Sequence, residues 1–261
     1  MNPYSKKSNA PTRTALALAA LLVTAGAAWA DTPVNVDPQA TQALAAMGTY
    51  LRTLQQFTVS ADSTTDVVDD AGQTLQFANQ TELNVQRPNH LQGWVKGDEG
   101  TRSLYYDGST FTLHGSENNF YASVPAPATI AELVADLSGK YGLETPLADL
   151  FYWGQGEQPE LTSAQVIGEE RLAGQICTHY AFRQPGVDWQ VWIRKGAQPL
   201  PCKLSIIDAA NAARPQHTAT LKWQLQPHFS TQTFHFVPPA GARRIVLRPL
   251  DASAPAATPA Q

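Results

Sequence analysis

Apolar and polar residues change period twice along the chain, dividing it into an opening helix, two groups of strands and an inserted helical segment. From about Pro38 to Leu54, the residues Leu44, Met47, Leu51 and Leu54 recur at helical spacing, which predicts one helix with a single apolar stripe. After Asp70-Ala71-Gly72 the period falls to two. Leu75, Phe77, Leu83 and Val85 alternate with Thr74, Gln76, Glu82 and Gln86, as on a strand with one buried face. Further strands are predicted at about His90–Gly97, Ser103–Tyr106, Thr110–His114 and Phe120–Val124. Asp107-Gly108 supplies a tight turn of the kind that favours two positive-φ positions. This first group reads as an antiparallel meander.

A helical period interrupts the strands from Thr129 to about Tyr141, with Ile130, Leu133, Val134 and Leu137 on one face, Thr129 in the N-cap region and Gly142 as the stop. A second short helix is predicted from Pro146 to about Trp153, grouping Leu147, Leu150 and Phe151, with Pro146 suited to its first position. From Val166 strands resume, at Ile176–Arg183, Asp188–Arg194, Lys203–Asp208, His217–Gln226 and Gln232–Phe236. Pro238 and Pro239 end the last of them.

Strands that pair with their sequence neighbours, opened by one helix and split by a helical insertion, predict an α+β fold. Its form is a curved antiparallel β-sheet making an open half-barrel that wraps around the N-terminal helix and the inserted helical lid. A sheet this broad curls, and its concave apolar side is the natural place for a ligand.

The ends of the chain add compartment. Lys6, Lys7 and Arg13 precede an apolar run from Ala15 to Val23, and small residues end at Ala28-Trp29-Ala30, which reads as a signal peptide over 1–30 cut after Ala30. Asp31 rather than Cys follows the cut, so no lipoprotein anchor is expected, and no later stretch reaches the roughly 20 apolar residues of a spanning helix. The expected organisation is a single domain over 31–250 and a disordered Ala/Pro-rich tail over 251–261, in a soluble protein exported to the periplasm.

Charge and motifs narrow the chemistry. A net charge of −4 with 15% charged residues leaves no basic stripe for nucleic acid. His-Glu-x-x-His, Cys-x-x-Cys, Gly-x-Ser-x-Gly and a phosphate-cradling loop are all missing, so the reading is not an enzyme and no cofactor or metal is expected. His179 would serve as a base only with Asp149 or Asp188 beside it, and otherwise is an ordinary strand histidine. Arg183 and Asp188 are placed to pair across their hairpin. Cys177 and Cys202, in an oxidising compartment, are a candidate disulfide. If the Trp189 strand lies between theirs, however, their Cα atoms stand about 9.5 Å apart, beyond bridging range, and two thiols are the alternative.

Several strings resemble one family. Tyr106-Asp107-Gly108 before Phe111-Thr112-Leu113, then Phe120-Tyr121-Ala122, Pro125-Ala126-Pro127, Tyr141-Gly142 and Pro146-Leu147-Ala148-Asp149-Leu150 are similar to the DUF2092 predicted periplasmic proteins. Gly168-Glu169-Glu170, His179 to Gln184, Val187 to Ile193, Pro199-Leu200-Pro201 and Phe236-Val237-Pro238-Pro239 continue the resemblance in the same order. It implies the LolA/LolB-like fold, an open half-barrel that holds a lipoprotein's acyl chains beneath a helical lid.

On this reading the protein binds a hydrophobic small molecule, lipid or lipoprotein, since each buried CH₂ stabilises by about 0.8 kcal/mol. Its candidate wall is Trp94, Phe111, Leu113, Trp189, Val191, Trp223, Leu225 and Phe234, and its candidate lid is Leu133, Leu137, Leu150 and Phe151. Aromatic residues at period two are more often plain core than ligand wall, and the lid residues serve as well as ordinary packing. The alternative function is an envelope sensor or interaction protein that binds a protein segment without catalysis.

Overall fold

Asp37 caps the first helix: its Oδ1 accepts the Gln39 N–H at 2.8 Å, and Pro38, with no N–H to leave unpaired, begins the first turn. The helix α1 (Pro38–Thr53) buries Ala40, Leu44, Met47 and Leu51 along one stripe and ends where Leu54 becomes extended. The structure is a computed structural model that describes residues 35–153 and 160–250. The signal peptide and the tail expected from the sequence lie outside the described residues.

After α1 come β2 (Gln56–Val68), β3 (Thr74–Gln86), β4 (His90–Gly97), β5 (Gly100–Tyr106), β6 (Thr110–Gly115) and β7 (Phe120–Pro125). The inserted helices are α2 (Ile130–Tyr141) and α3 (Asp149–Tyr152). The second strand group is β8 (Ser163–Leu172), β9 (Gln175–Gln184), β10 (Val187–Arg194), β11 (Pro201–Asp208) and β12 (Gln216–Gln224). Two short strands, β1 (Asn35–Val36) and β13 (Arg243–Arg244), complete one 13-stranded sheet in the order β1-β8-β9-β10-β11-β12-β2-β3-β4-β5-β6-β7-β13. The strands of each group pair with their sequence neighbours, and β12 pairs antiparallel with β2 to join the two groups. β1 and β13 instead run parallel to β8 and β7 at the two ends, so the sheet is an open half-barrel.

β2 was not among the predicted strands, although Phe57, Val59 and Ala61 alternate there with Thr58, Ser60 and Asp62. The β2–β3 hairpin outruns its neighbours: β4 meets β3 only from Gln80 to Gln86. Leu75 and Phe77, expected on a buried face, are therefore 37% and 40% exposed. The Asp107-Gly108 turn has one positive φ, at Gly108, not two, and Asp107 Oδ1 instead takes the Ser109 and Thr110 N–H groups.

α2 carries a complete capping box between Thr129 and Glu132 and stops at Gly142 in the left-handed region (φ 62°), as its sequence requires. The second inserted helix is shorter than predicted. Leu147 takes φ 54° after Pro146, so the helix begins only at Asp149 and Pro146 lies outside it. The predicted strand Gln232–Phe236 is a turn followed by irregular chain that joins no ladder.

Cys177 and Cys202 are joined as a disulfide on the outer face, packed against Trp192. β10 does lie between their strands, but the β10–β11 register shifts between Trp192 and Ile193, opposite Cys202. The bulge brings the Cα atoms to 6.8 Å instead of two full strand spacings. Arg183 pairs with Asp188 at 2.6 Å, and Arg214 reaches the same carboxylate at 2.7 Å.

Candidate functional site

Register decides which side chains face inward. Phe57, Val85, Leu91, Tyr106 and Phe111 are successive partners across five strands. All five are almost fully buried on the concave side. On the other half, Phe182, Trp189 and Ile206 form an equivalent row that ends at His217. α1 lays its apolar stripe into this concavity, and α2 and α3 cover it with Ile130, Leu133, Val134, Leu137, Leu150 and Phe151. Sheet, α1 and cover form one continuous apolar cluster, so the protein's own side chains fill the concave face.

The structure brings most of the predicted residues together. Phe111, Trp189, Val191, Leu133, Leu137, Leu150 and Phe151 belong to the buried cluster, and Leu113, Trp223 and Leu225 pack against it half-buried. Two do not belong. Trp94 alternates with the inward Leu91 and Gly93 and so stands on the outer face, half-exposed. Phe234 is buried, but against His90 and Phe229 in the C-terminal segment. Buried residues of the same cluster that were not among the candidates include Phe57, Val59 and Phe182, and Met47 and Leu51 of α1, whose periods are legible in the sequence.

Several contacts hold the cover down. Gly48 of α1 faces the Trp153 carbonyl so closely that any Cβ would collide with it. Trp153 stacks over Trp189 at 6.2 Å, and Trp189 over Phe182 at 4.2 Å. Arg87 donates its Nε–H to the Leu54 carbonyl and lies 5.9 Å from the Phe151 ring, and its burial lowers its pKa. α2 is tied at both ends: the Ile130 N–H donates to the Pro88 carbonyl and the Leu250 N–H to that of Lys140.

A polar cluster lies where α3 meets β12. Burial raises the pKa of half-buried Asp149, against the pull of its own backbone N–H and of His217. Burial depresses His217, while Asp149 and Glu144 oppose the shift. The His217 Nδ1 hydrogen-bonds Thr65 Oγ1 at 2.8 Å. Thr145 Oγ1 and Trp189 Nε1, both buried, have no hydrogen-bond partner among the described residues.

His179 lies on the outer face, stacked on Trp192 at 3.9 Å and bonded to Gln190 at 2.9 Å, with Glu170 at 3.6 Å. Its partners are therefore not the Asp149 or Asp188 that a base would need. Among the described residues no cluster could hold a metal ion and no helix is long and apolar enough to cross a membrane.

The fold and its covered concave face define the class of open half-barrels closed over by an inserted helical segment. Within that class the chain belongs to the DUF2092 family of predicted periplasmic proteins, whose model matches residues 40–248. Solved structures similar to it include LprF from Mycobacterium bovis (TM-score 0.43, 13% identity, covering 80% of this chain and 100% of that one). A LolA superfamily protein from Nitrosomonas europaea matches at TM-score 0.35 and 10% identity over 76% of this chain and 97% of that one. MucB in complex with MucA(peri) matches at TM-score 0.31 and 13% identity over 72% of this chain and 57% of its own. No curated protein matches.

Proposed function

We propose that the protein, exported to the periplasm and cut after Ala30, binds a long-chain lipid or an acylated protein on its concave face and acts as a carrier. The observation that carries this reading is the construction of the cover. α2 and α3 enter after β7 and leave before β8, the two strands that flank the sheet's ends in the strand order, so the cover can lift without breaking a ladder between long strands.

Magnitudes select the cargo. Fully exposing the six buried cover side chains costs roughly 9 to 18 kcal/mol at about 1.5 to 3 kcal/mol each, an upper bound. A C16 chain returns about 13 kcal/mol at about 0.8 kcal/mol per CH₂. Short ligands therefore leave the cover shut, whereas long or paired chains replace it like for like. The reading requires no catalytic group.

One feature favours protein binding as a second reading. β8 is paired by β1 only at Ser163 and Ala164, and beyond them Val166 and Ile167 are 37% and 52% exposed on an edge that could accept a strand. Titration of the mature protein with cis-parinaric acid tests the carrier reading. Saturable binding, accompanied by faster proteolysis within 126–153, is expected. Binding no better than that of a C6 acid, or binding that leaves this segment equally protected, contradicts it.

A further inference from the structure

A second site lies on the opposite side of the sheet. Register sets Tyr105, Thr112 and Ser123 side by side across β5, β6 and β7, all facing outward, while their neighbours Leu104, Leu113 and Ala122 face the core. The chain from Phe234 to Pro238 crosses this outward patch and borders, with the strands and Arg244, a half-open cavity of about 360 Å³. That volume falls at the small end of ligand pockets, which run from about 300 to 1,000 Å³.

Its lining combines three chemistries. Phe236 is inserted among Tyr105, Tyr121 and His114, with ring centroids 5.3, 5.1 and 5.7 Å away, which makes an aromatic wall. Thr110, Thr112, Ser123, Tyr105 and Tyr121 contribute hydroxyls, each able to donate and accept; Thr112 and Ser123 are already paired at 2.8 Å. Charge is placed by Arg244, which has no ion-pair partner among the described residues, and by Asp107, whose Oδ2 lies 3.6 Å from His235 Nδ1.

We propose that this cavity binds a monosaccharide bearing a carboxylate. A pyranose offers an apolar C–H face to an aromatic wall and a rim of hydroxyls to groups that both donate and accept. Its carboxylate would engage the Arg244 guanidinium, a planar donor suited to that group. One alternative fits less well: an acyl chain would strand the hydroxyls without partners. The site is independent of what occupies the concave face.

Calorimetric titration of the mature protein with N-acetylmuramic acid, N-acetylglucosamine and lactate tests this. The acidic sugar should bind saturably at one per chain, and the neutral sugar and lactate at least tenfold more weakly. Arg244→Gln should reduce the acidic sugar to the affinity of the neutral one, whereas Arg244→Lys should keep most of the difference. Arg244 is exposed, so both variants should melt like the parent. Failure of both sugars to bind, lactate binding as tightly as the acidic sugar, or an Arg244→Gln variant with full affinity would each overturn the proposal.

Discussion

Gly48 in α1 and the Trp153 carbonyl at the end of α3 are in contact without room for a methyl group between them. The glycine is the notch that lets the cover sit down on the first helix. Gly48→Ala is expected to destabilise the fold by about 1 to 3 kcal/mol, because the collision is with backbone that must shift. Gly139, on the exposed side of α2 with nothing near its Cβ position, is the control. Gly139→Ala should stabilise by about 0.5 to 1 kcal/mol. Thermal melts of the two variants should move in opposite directions, and a Gly48→Ala protein that melts with the parent would contradict the packing of α3 on α1.

Trp223 distinguishes ligand wall from core. It faces the concave side half-buried, packs on Phe57 at 5.4 Å and donates its Nε1–H to the Pro201 carbonyl at 2.8 Å. Trp223→Asp is expected to remove fatty-acid binding while leaving the circular dichroism spectrum folded. Trp189→Asp, at 6% exposure, should abolish binding by unfolding the core as well. A folded Trp223→Asp protein with unchanged affinity counts against the concave face as the site.

The sequence made the architecture legible wherever one face of an element is buried and the other wet. The meander β4–β7, α1 and the two ends of α2, at Thr129 and Gly142, all follow from period and caps. Which face of a strand is concave is not written in its period, and Trp94 shows this: its inward neighbour is Gly93, so the larger side chain looked like the core residue. Phe234 and Phe236 fail for a related reason. They keep a two-residue period because they rest on the outer surface of the sheet, not because their segment pairs as a strand. In Gln56–Val68 the alternation is clear only up to Ala61, and the polar run beyond it is of mixed exposure, so the strand's length is not written in its period.

Asp149 and His217 predict a pH dependence with opposed signs. Burial raises Asp149, so the folded state holds its proton more tightly than the unfolded chain, and stability is lost as pH rises from the unfolded value of about 3.9 through the raised one. Asp149→Asn should therefore stabilise near neutral pH and give no gain below about pH 3.5. Burial depresses His217, so the unfolded chain binds more protons just below about pH 6.5 and the native state weakens as pH falls through that window. His217→Gln should flatten this loss. Denaturant melts across pH read both signs, and a parallel offset at every pH would contradict them.

The Cys177–Cys202 link closes a loop of 25 residues and should contribute about 3.5 kcal/mol through the unfolded chain. It lies on the outer face, away from the concave cluster. Replacing both cysteines with alanine should lower the melting temperature without changing fatty-acid affinity. A double variant that melts with the parent would mean that no bond forms.

Native mass spectrometry of the protein released from its own periplasm without detergent tests the carrier reading most directly. The mass of the native form should exceed the denatured mass by that of one long-chain or multi-chain lipid, and the excess should vanish in the Trp223→Asp protein. A native mass equal to the denatured mass, with no uptake of long-chain lipid on incubation, would contradict a lipid carrier.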